Sequence, residues 1–273
     1  MKTIDALARG LEVLRSLEER RGQSLAELHR LTGVPKASLL RILETLEQGG
    51  FAWRAIGDGR YRRRVSLIFR PGIDDDLLRI GEIAAPFLEN LRRKVIWPSD
   101  VLVHRHFRME IVETSRRQSN LGVATYPIGY RVEMFLSAPG RAFLAFCTEA
   151  EREAVLADAS AHPPALTRSR QVLARELPAI LEETRRLGYG SRDPLFGGSE
   201  DKDMSLCDDG IDAIAVPILN GDKLLATMNL VWPRKYKIKQ QIVRDHLADI
   251  QEAAAAIATA AAADSDPEKR STE

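Results

Sequence analysis

The sequence predicts an α+β fold in two parts, a small helical head carrying one hairpin and a larger region mixing hairpins with helices. Three observations carry this. Two short apolar-periodic segments broken at Gly33-Val34-Pro35 stand near the start, in SLAELHRLTGVPKASLLRILETLEQGGF. Strand-like stretches flank the turn signals Gly57-Asp58-Gly59 and Asn220-Gly221-Asp222. At 273 residues, 44% apolar and with ordinary charge density, the chain is long enough for two globular domains.

In chain order, residues 4–20 predict an amphipathic helix with Leu7, Leu11, Leu14 and Leu17 on one stripe. Ser24 followed three residues later by Glu27 is a capping box, so LAELHRL starts a second helix that ends at Gly33. Pro35 suits the start of a third. There Leu39, Ile42, Leu43 and Leu46 follow the i, i+3, i+4, i+7 spacing of a buried stripe, while Ser38, Arg41 and Thr45 share a different, polar stripe. FAWRAIGDGRYRRRVSL then predicts a hairpin, and RPGIDDD a boundary. LLRIGEIAAPFLENLRRKV resumes helical periodicity as a linker helix, in which Pro86 starts a new segment or kinks the old one.

From Ile96 the pattern is mixed. DVLVHRHFRMEIVETS predicts two strands about a turn, and AIAVPILNGDKLLATMNLVW a second hairpin. Between them PGRAFLAFC, EAEREAVLADA and SRQVLARELPAILEETRRLGYG are helix candidates, the last closed by Gly188 or Gly190. A final helix runs from about Ile238 through the alanine run. The domains expected are a head over 1–70, a linker helix region over 71–95, a second domain over 96–264 and a frayed tail over 265–273.

Composition excludes several classes. The first helix begins at once and carries Asp5, Arg9 and Glu12, which fits neither a signal peptide nor a membrane span, so a cytoplasmic protein with no membrane partner is expected. Cys147 and Cys207 lie far apart and form neither a disulfide framework nor a metal half-site. His104 and His106 share a strand face, but no Cys or acidic trio completes a site, so neither metal nor cofactor is expected. The net charge of +1 hides an asymmetry: residues 1–72 hold 14 Lys+Arg against 8 Asp+Glu. That basic end suits a polyanion.

A helix, a short Gly-containing turn and a second helix with a polar presented face are the parts of a helix-turn-helix, whose second helix enters the major groove of DNA. On this reading Ser24, Lys36, Ser38, Arg41 and Thr45 face the operator, and Arg60, Arg62 and Arg63, with Arg64, form a basic wing against phosphate.

RGLEVLRSL, SLAELHRLTGVPKASLLRILETLEQGGF and GRYRRRVSL together resemble the winged helix-turn-helix of the IclR family of bacterial transcriptional regulators. LSAPGRAFLAF, RRLGYG and IDAIAVPILNGDKLLATMNL resemble its effector-binding domain in the same order. Two positions depart from the family pattern, Ala37 where a hydroxyl residue is frequent and Arg141 where Lys is frequent. The resemblance implies a GAF-like second domain, a twisted antiparallel sheet flanked by helices, with a small-molecule pocket. By position that pocket involves Ser137, Ala138, Pro139, Asp203, Ala213, Asn229 and Val231. VIWPSDV and APGRAFLAFC are similar to activators of hydroxyphenylpropionate catabolism, which implies an aromatic acid effector.

Chemistry adds its own reasons. Gly140 near a helix N-terminus offers backbone N–H groups suited to a carboxylate, Asn229 in an apolar strand needs a partner, and Met134 suits an apolar wall. The whole then reads as a ligand-responsive regulator of a catabolic operon. It binds double-stranded operator DNA as a dimer or a pair of dimers, with RNA polymerase a further candidate partner. It is not an enzyme: Cys207 beside Asp208 and Asp209 is the one conceivable nucleophile, and no histidine lies near it in sequence. The alternatives are a winged-helix protein-interaction module and a Cys-dependent enzyme.

Overall fold

The computed structural model describes residues 4–17, 22–64, 75–116, 121 and 123–264. The head comprises α1 (Asp5–Ser16), α2 (Leu25–Thr32), α3 (Lys36–Gln48) and the hairpin of β1 (Ala52–Arg54) and β2 (Tyr61–Arg63). Its core is small: Val13, Leu17, Leu28, Leu39, Leu43 and Tyr61 are buried together, with Ile42 and Leu46 packed against them. The α3 stripe therefore lies as its spacing predicts. The α1 stripe does not. Leu7 and Leu11 are 57% and 48% exposed, because Val13 and Leu17, four residues apart, turn a neighbouring face of the helix inward and leave only Leu14 and Leu17 of the expected set in contact with the core. The helix ends at Ser16, and residues 18–20 of its expected span lie outside the described residues, as do Val65, Ser66, Leu67 and the tail.

The helix α4 (Asp75–Lys94) runs unbroken past Pro86, so the proline neither starts a new segment nor ends the old one. The larger part follows with β3 (Ser99–Arg105), β4 (Arg108–Thr114), β5 (Arg131–Val132), α5 (Ala138–Phe146), α6 (Glu149–Ala161) and α7 (Thr167–Gln171). A π-turn over Val172–Glu176 leads into α8 (Leu177–Leu187), then β6 (Gly190–Ser191), β7 (Ile211–Asn220), β8 (Lys223–Pro233) and α9 (Lys239–Asp264). Gly188, at φ 76, closes α8.

The six strands form one antiparallel sheet in the order β5-β4-β3-β8-β7-β6. Both expected hairpins are present. Gly221 takes φ 58 at the β7–β8 turn, whereas His106 and Phe107 take positive φ at the β3–β4 turn without glycine's freedom. His106 is thus an exposed turn residue and shares no strand face with His104. Period-two alternation divides the core. Val101, Val103, Ile214 and Val216 face α4 and α9, while Leu102, Met109 and Ile111 face Phe143 of α5 and Leu181 of α8. A two-sided sheet of this kind holds its upper rim, where the strands meet the start of α5, as a rigid frame for a pocket.

Candidate DNA-reading head and effector pocket

Ser24 is a cap rather than a presented side chain. Its Oγ accepts the Glu27 N–H at 3.3 Å, and the Glu27 carboxylate accepts the Ser24 N–H at 2.8 Å. Gly33 at φ 67 turns the chain, His29 Nδ1 meets Val34 O at 2.8 Å across that turn, and α3 departs from Pro35. Lys36, Arg41 and Thr45 are exposed on α3, and Ser38 is half-buried beside them. All but Lys36 border a groove of about 670 Å3 whose other wall is Leu7, Leu11 and Leu14 of α1. Ala37 is exposed beside Lys36 and offers no hydroxyl.

The wing differs from expectation. Arg60 donates to Gly22 O at 2.8 Å and to Glu27 Oε1 at 2.9 Å, which ties the hairpin to the start of α2. Arg62 is buried, donates to both oxygens of Asp58 at 2.9 and 2.6 Å, and lies over the Trp53 ring. Arg63 is half-buried and has a partner of its own, and Arg64 pairs with Glu82 of α4 at 2.5 Å. The arginines of the wing therefore brace the head instead of standing free for phosphate. In a hairpin of two three-residue strands there is little apolar area to hold it, and guanidinium crosslinks supply the difference. Arg30, Lys36 and Arg41 are the exposed cations around the turn and α3, and Arg30 was not singled out by its position in sequence.

The turn of the wing docks on the larger domain. Buried Glu113 of β4 accepts N–H donors from Gly57 at 2.9 Å, Ile56 at 3.3 Å and Thr114 at 2.8 Å. Burial pushes its carboxyl up to about 7, against the opposing pull of those donors and Arg62. A side chain at Gly57 would sit 2.9 Å from Glu113 Oε1 and 3.0 Å from Thr114 O, so the close approach requires glycine.

Along the same strands lies the pocket. Asp100 of β3 is fully buried and accepts from Arg116 Nε at 2.9 Å and Nη2 at 2.6 Å, from Thr114 Oγ1 at 2.7 Å and from Asn229 Nδ2 at 3.0 Å. Asn229 Oδ1 accepts the Asp100 N–H at 2.8 Å, so its amide has a protein partner on both sides. Arg116 lies over Tyr126, which stacks on Tyr130 at 4.1 Å and donates to Asp209 Oδ2 at 2.9 Å. Burial and the Asp209 charge both raise the Tyr126 phenol, keeping it a donor. Arg192 ends the chain of contacts, with Nη2 donating to Asp209 Oδ1 at 2.8 Å, while its buried Nε has no hydrogen-bond partner.

Ser137, Ala138, Pro139, Ala213, Asn229 and Val231 line this pocket as expected. Met134, Gly140 and Asp203 do not. Met134 is buried in the neighbouring core, and Asp203 belongs to the loop before β7. The Gly140 N–H already donates to Ser137 Oγ at 3.1 Å, and its Cα packs on the Met134 backbone, so the helix start has no room for a carboxylate. Arg141, at the position of the family's lysine, is also engaged, with Phe135 O, Ser191 O and Asp193. Asp100, Arg116, Tyr126, Tyr130, Arg192 and Asp209 were missed in sequence. The signal for Asp100 is visible afterwards, one acid in the apolar strand SDVLVHR, but its partners lie on distant segments. The walls close to about 30 Å3, enough for about one water, whereas a ring needs on the order of 150 Å3. An aromatic occupant enters only when the tyrosine pair or the 192–209 loop moves outward.

The fold and these two sites define a winged helix-turn-helix protein whose second, α/β domain encloses a polar pocket. Comparison with known proteins agrees. The IclR helix-turn-helix domain model matches residues 6–54, and the bacterial transcriptional regulator IclR C-terminal model matches residues 76–259. Among curated relatives, the HTH-type transcriptional regulator XynR of Escherichia coli K12 is 25% identical over 84% of this chain and 86% of its own length. The transcriptional repressor IclR of the same organism is 28% identical over 70% and 69%. Two solved structures share the fold. The putative IclR transcriptional regulator of Silicibacter sp. TM1040 is 19% identical, covers 94% of this chain and 96% of its own, and has a TM-score of 0.53. An IclR homologue of Microbacterium hydrocarbonoxydans complexed with 4-hydroxybenzoate is 23% identical over 94% and 99%, with a TM-score of 0.50. The chain belongs to the IclR family of DNA-binding transcriptional regulators, which are not enzymes. Among the described residues no helix is long and apolar enough to cross a membrane, and no group of His, Cys, Asp and Glu is placed to hold a metal.

Proposed function

We propose that this regulator controls a catabolic operon from the cytoplasm, reading operator DNA with Lys36, Ser38, Arg41 and Thr45 and sensing a small carboxylic acid, aromatic in kind, in the Asp100 pocket. The head over 1–70 reads, the linker region over 71–95 transmits, and 96–264 senses; the assembly on DNA is a dimer or pair of dimers, with RNA polymerase a further partner. One observation carries the choice of an acid: the buried Arg192 Nε has no acceptor, and a ligand carboxylate is the group that satisfies it. The 4-hydroxybenzoate bound by the Microbacterium homologue supports the aromatic body. A carboxylate there competes with Asp100 and Asp209 for the two arginines. Asp100 holds Thr114, and Thr114 adjoins Glu113 and the docked Gly57, so a change at the pocket reaches the head through three adjoining residues.

The test is calorimetric titration with 4-hydroxybenzoate, 3-(4-hydroxyphenyl)propionate, short aliphatic acids and acyl-homoserine lactones, alongside gel shift on the protein's own upstream DNA. Arg192→Lys keeps a charge against Asp209 and removes the Nε donor. It should weaken acid binding about ten- to a hundredfold while ligand-free operator binding is kept. Binding of only non-acidic ligands, or an unchanged affinity in the variant, sinks the acid assignment; absence of any specific gel shift sinks the operator reading.

A further inference from the structure

The strands β3 and β8 are hydrogen-bonded only from Ser99↔Leu230 to Leu102↔Thr227. Beyond that pair β3 continues to Arg105, following β4, and β8 reaches back to Lys223, following β7. Neighbouring strands that each keep the outer partner and lose the inner one must splay, and a gap of about 390 Å3 opens between them, within the usual range for small-ligand cavities. It shares no lining residue with the Asp100 pocket.

The gap has a floor, a polar centre and a charged rim. His104 lines it, its ring stacked on Phe143 at 4.3 Å between centroids, and its Nε2 is buried with no hydrogen-bond partner. The ring borders the gap while this nitrogen is covered, and a turn of the imidazole toward the gap would give it the partner it lacks. Burial lowers the imidazole's pKa, so at neutral pH it is the uncharged ring, able to donate one N–H. Ile80, Ile83 and Leu224 give apolar wall. Of the charged side chains that line the gap, Arg79 pairs with Asp264 and the Glu151 carboxylate is taken up by the Thr148 N–H and Oγ1, while Lys223 at the rim is exposed with no ion pair among the described residues. We propose that this gap is a second ligand site, binding a small monocarboxylate whose acid group is held by His104 Nε2 and Lys223 and whose apolar body lies along Ile80, Ile83 and Leu224. Because Ile80 and Ile83 belong to α4, an occupant here touches the helix that joins head to sensor, independently of the Asp100 pocket.

Octanoate and 3-phenylpropionate serve as aliphatic and aromatic probes, titrated calorimetrically into the full-length wild type and into His104→Phe, Lys223→Met and Arg192→Lys. His104→Phe keeps an aromatic ring for the stack on Phe143 and removes the ring nitrogens. At least one probe should bind about tenfold or more weakly to His104→Phe and Lys223→Met and with unchanged affinity to Arg192→Lys. Hydrogen exchange should slow over residues 79–94 and 223–226 when that probe is present. Failure of both probes to bind the wild type overturns the site. So does weakening by Arg192→Lys with His104→Phe unaffected, which would return the ligand to the Asp100 pocket and leave the proposed function standing.

Discussion

Arg41 and Arg62 show how differently two arginines of one small head are used. Arg41 is exposed on the face of α3, so Arg41→Ala should remove about 1 to 3 kcal/mol of discrimination between operator and mismatched sites, measured by anisotropy across a panel of base substitutions. Arg62 looks equivalent in YRRR, yet it is buried against Asp58. Arg62→Ala leaves that carboxylate with the Arg60 N–H but no guanidinium and should cost about 3 kcal/mol of head stability, seen in denaturant unfolding, with the salt slope of DNA binding little changed. Two buried acids set the pH behaviour. Glu113 and Glu133 both have carboxyls pushed up to about 7 by burial, Glu133 while accepting from the Leu136 N–H and Ser169 Oγ, with Arg108 and Arg141 nearby. A raised folded pKa means the native state holds the proton more tightly, so their contribution is full below about 4.5 and is lost as pH rises through about 7. Asp58 and Asp193 are shifted the other way, and their contribution is already complete above the ordinary carboxylate range. Unfolding free energy should therefore fall between pH 5 and pH 8, offset in part by His104, whose lowered pKa adds stability as pH rises toward 6.5, and Glu133→Gln should flatten the slope.

At the scale of elements, legibility followed local chemistry. The capping box at Ser24, the Gly33 turn, both long hairpins and the helical run over α7–α8, though not its π-turn, could be read because each is specified by residues within a few positions of one another. The inward face of α1 could not, since an apolar stripe shows that a helix has two faces but not which neighbour takes which. The wing misled for a related reason: four cations in five residues report charge density, while of the carboxylates that claim them Glu27 and Glu82 stand on distant segments and Asp58 meets Arg62 only once the hairpin turn is made. Pocket residues at the α5 start and on β7 and β8 were legible through resemblance; the Asp100–Arg116–Tyr126–Asp209–Arg192 chain of contacts was not, because it joins β3, the stretch after β4 and the loop between β6 and β7. The docked wing turn gives this scale its own prediction. Gly57→Ala should force the turn off β4, raising hydrogen exchange at Ile56 and Gly57 and Thr114 while leaving the sheet's own exchange unchanged. Unaltered exchange at these amides would mean that the turn is not held there in solution.

For the whole molecule, a head this small reaches few bases, and a genomic address needs two of them. Two heads should bind a pseudo-palindrome with half-sites about one helical turn, ~34 Å, or a multiple apart, and sedimentation of the protein–DNA complex should give at least two chains per site. The linker helix is held to the larger domain along the seam between α4 and α9. Buried Ala84 on one helix and Ala254, Ala258 and Ala261 on the other put small side chains into the layer that α4, α9 and the sheet share. Large side chains stand among them, Leu88 and Leu91 on α4 and Ile250 and Ile257 on α9, and ion pairs join Arg79 to Asp264 and Lys94 to Glu252 across the two helices. The seam is a clamp more than a hinge. Spin labels on the exposed faces of α4 and α9 should then keep one spacing with and without ligand, so that whatever moves the head must carry both helices with it.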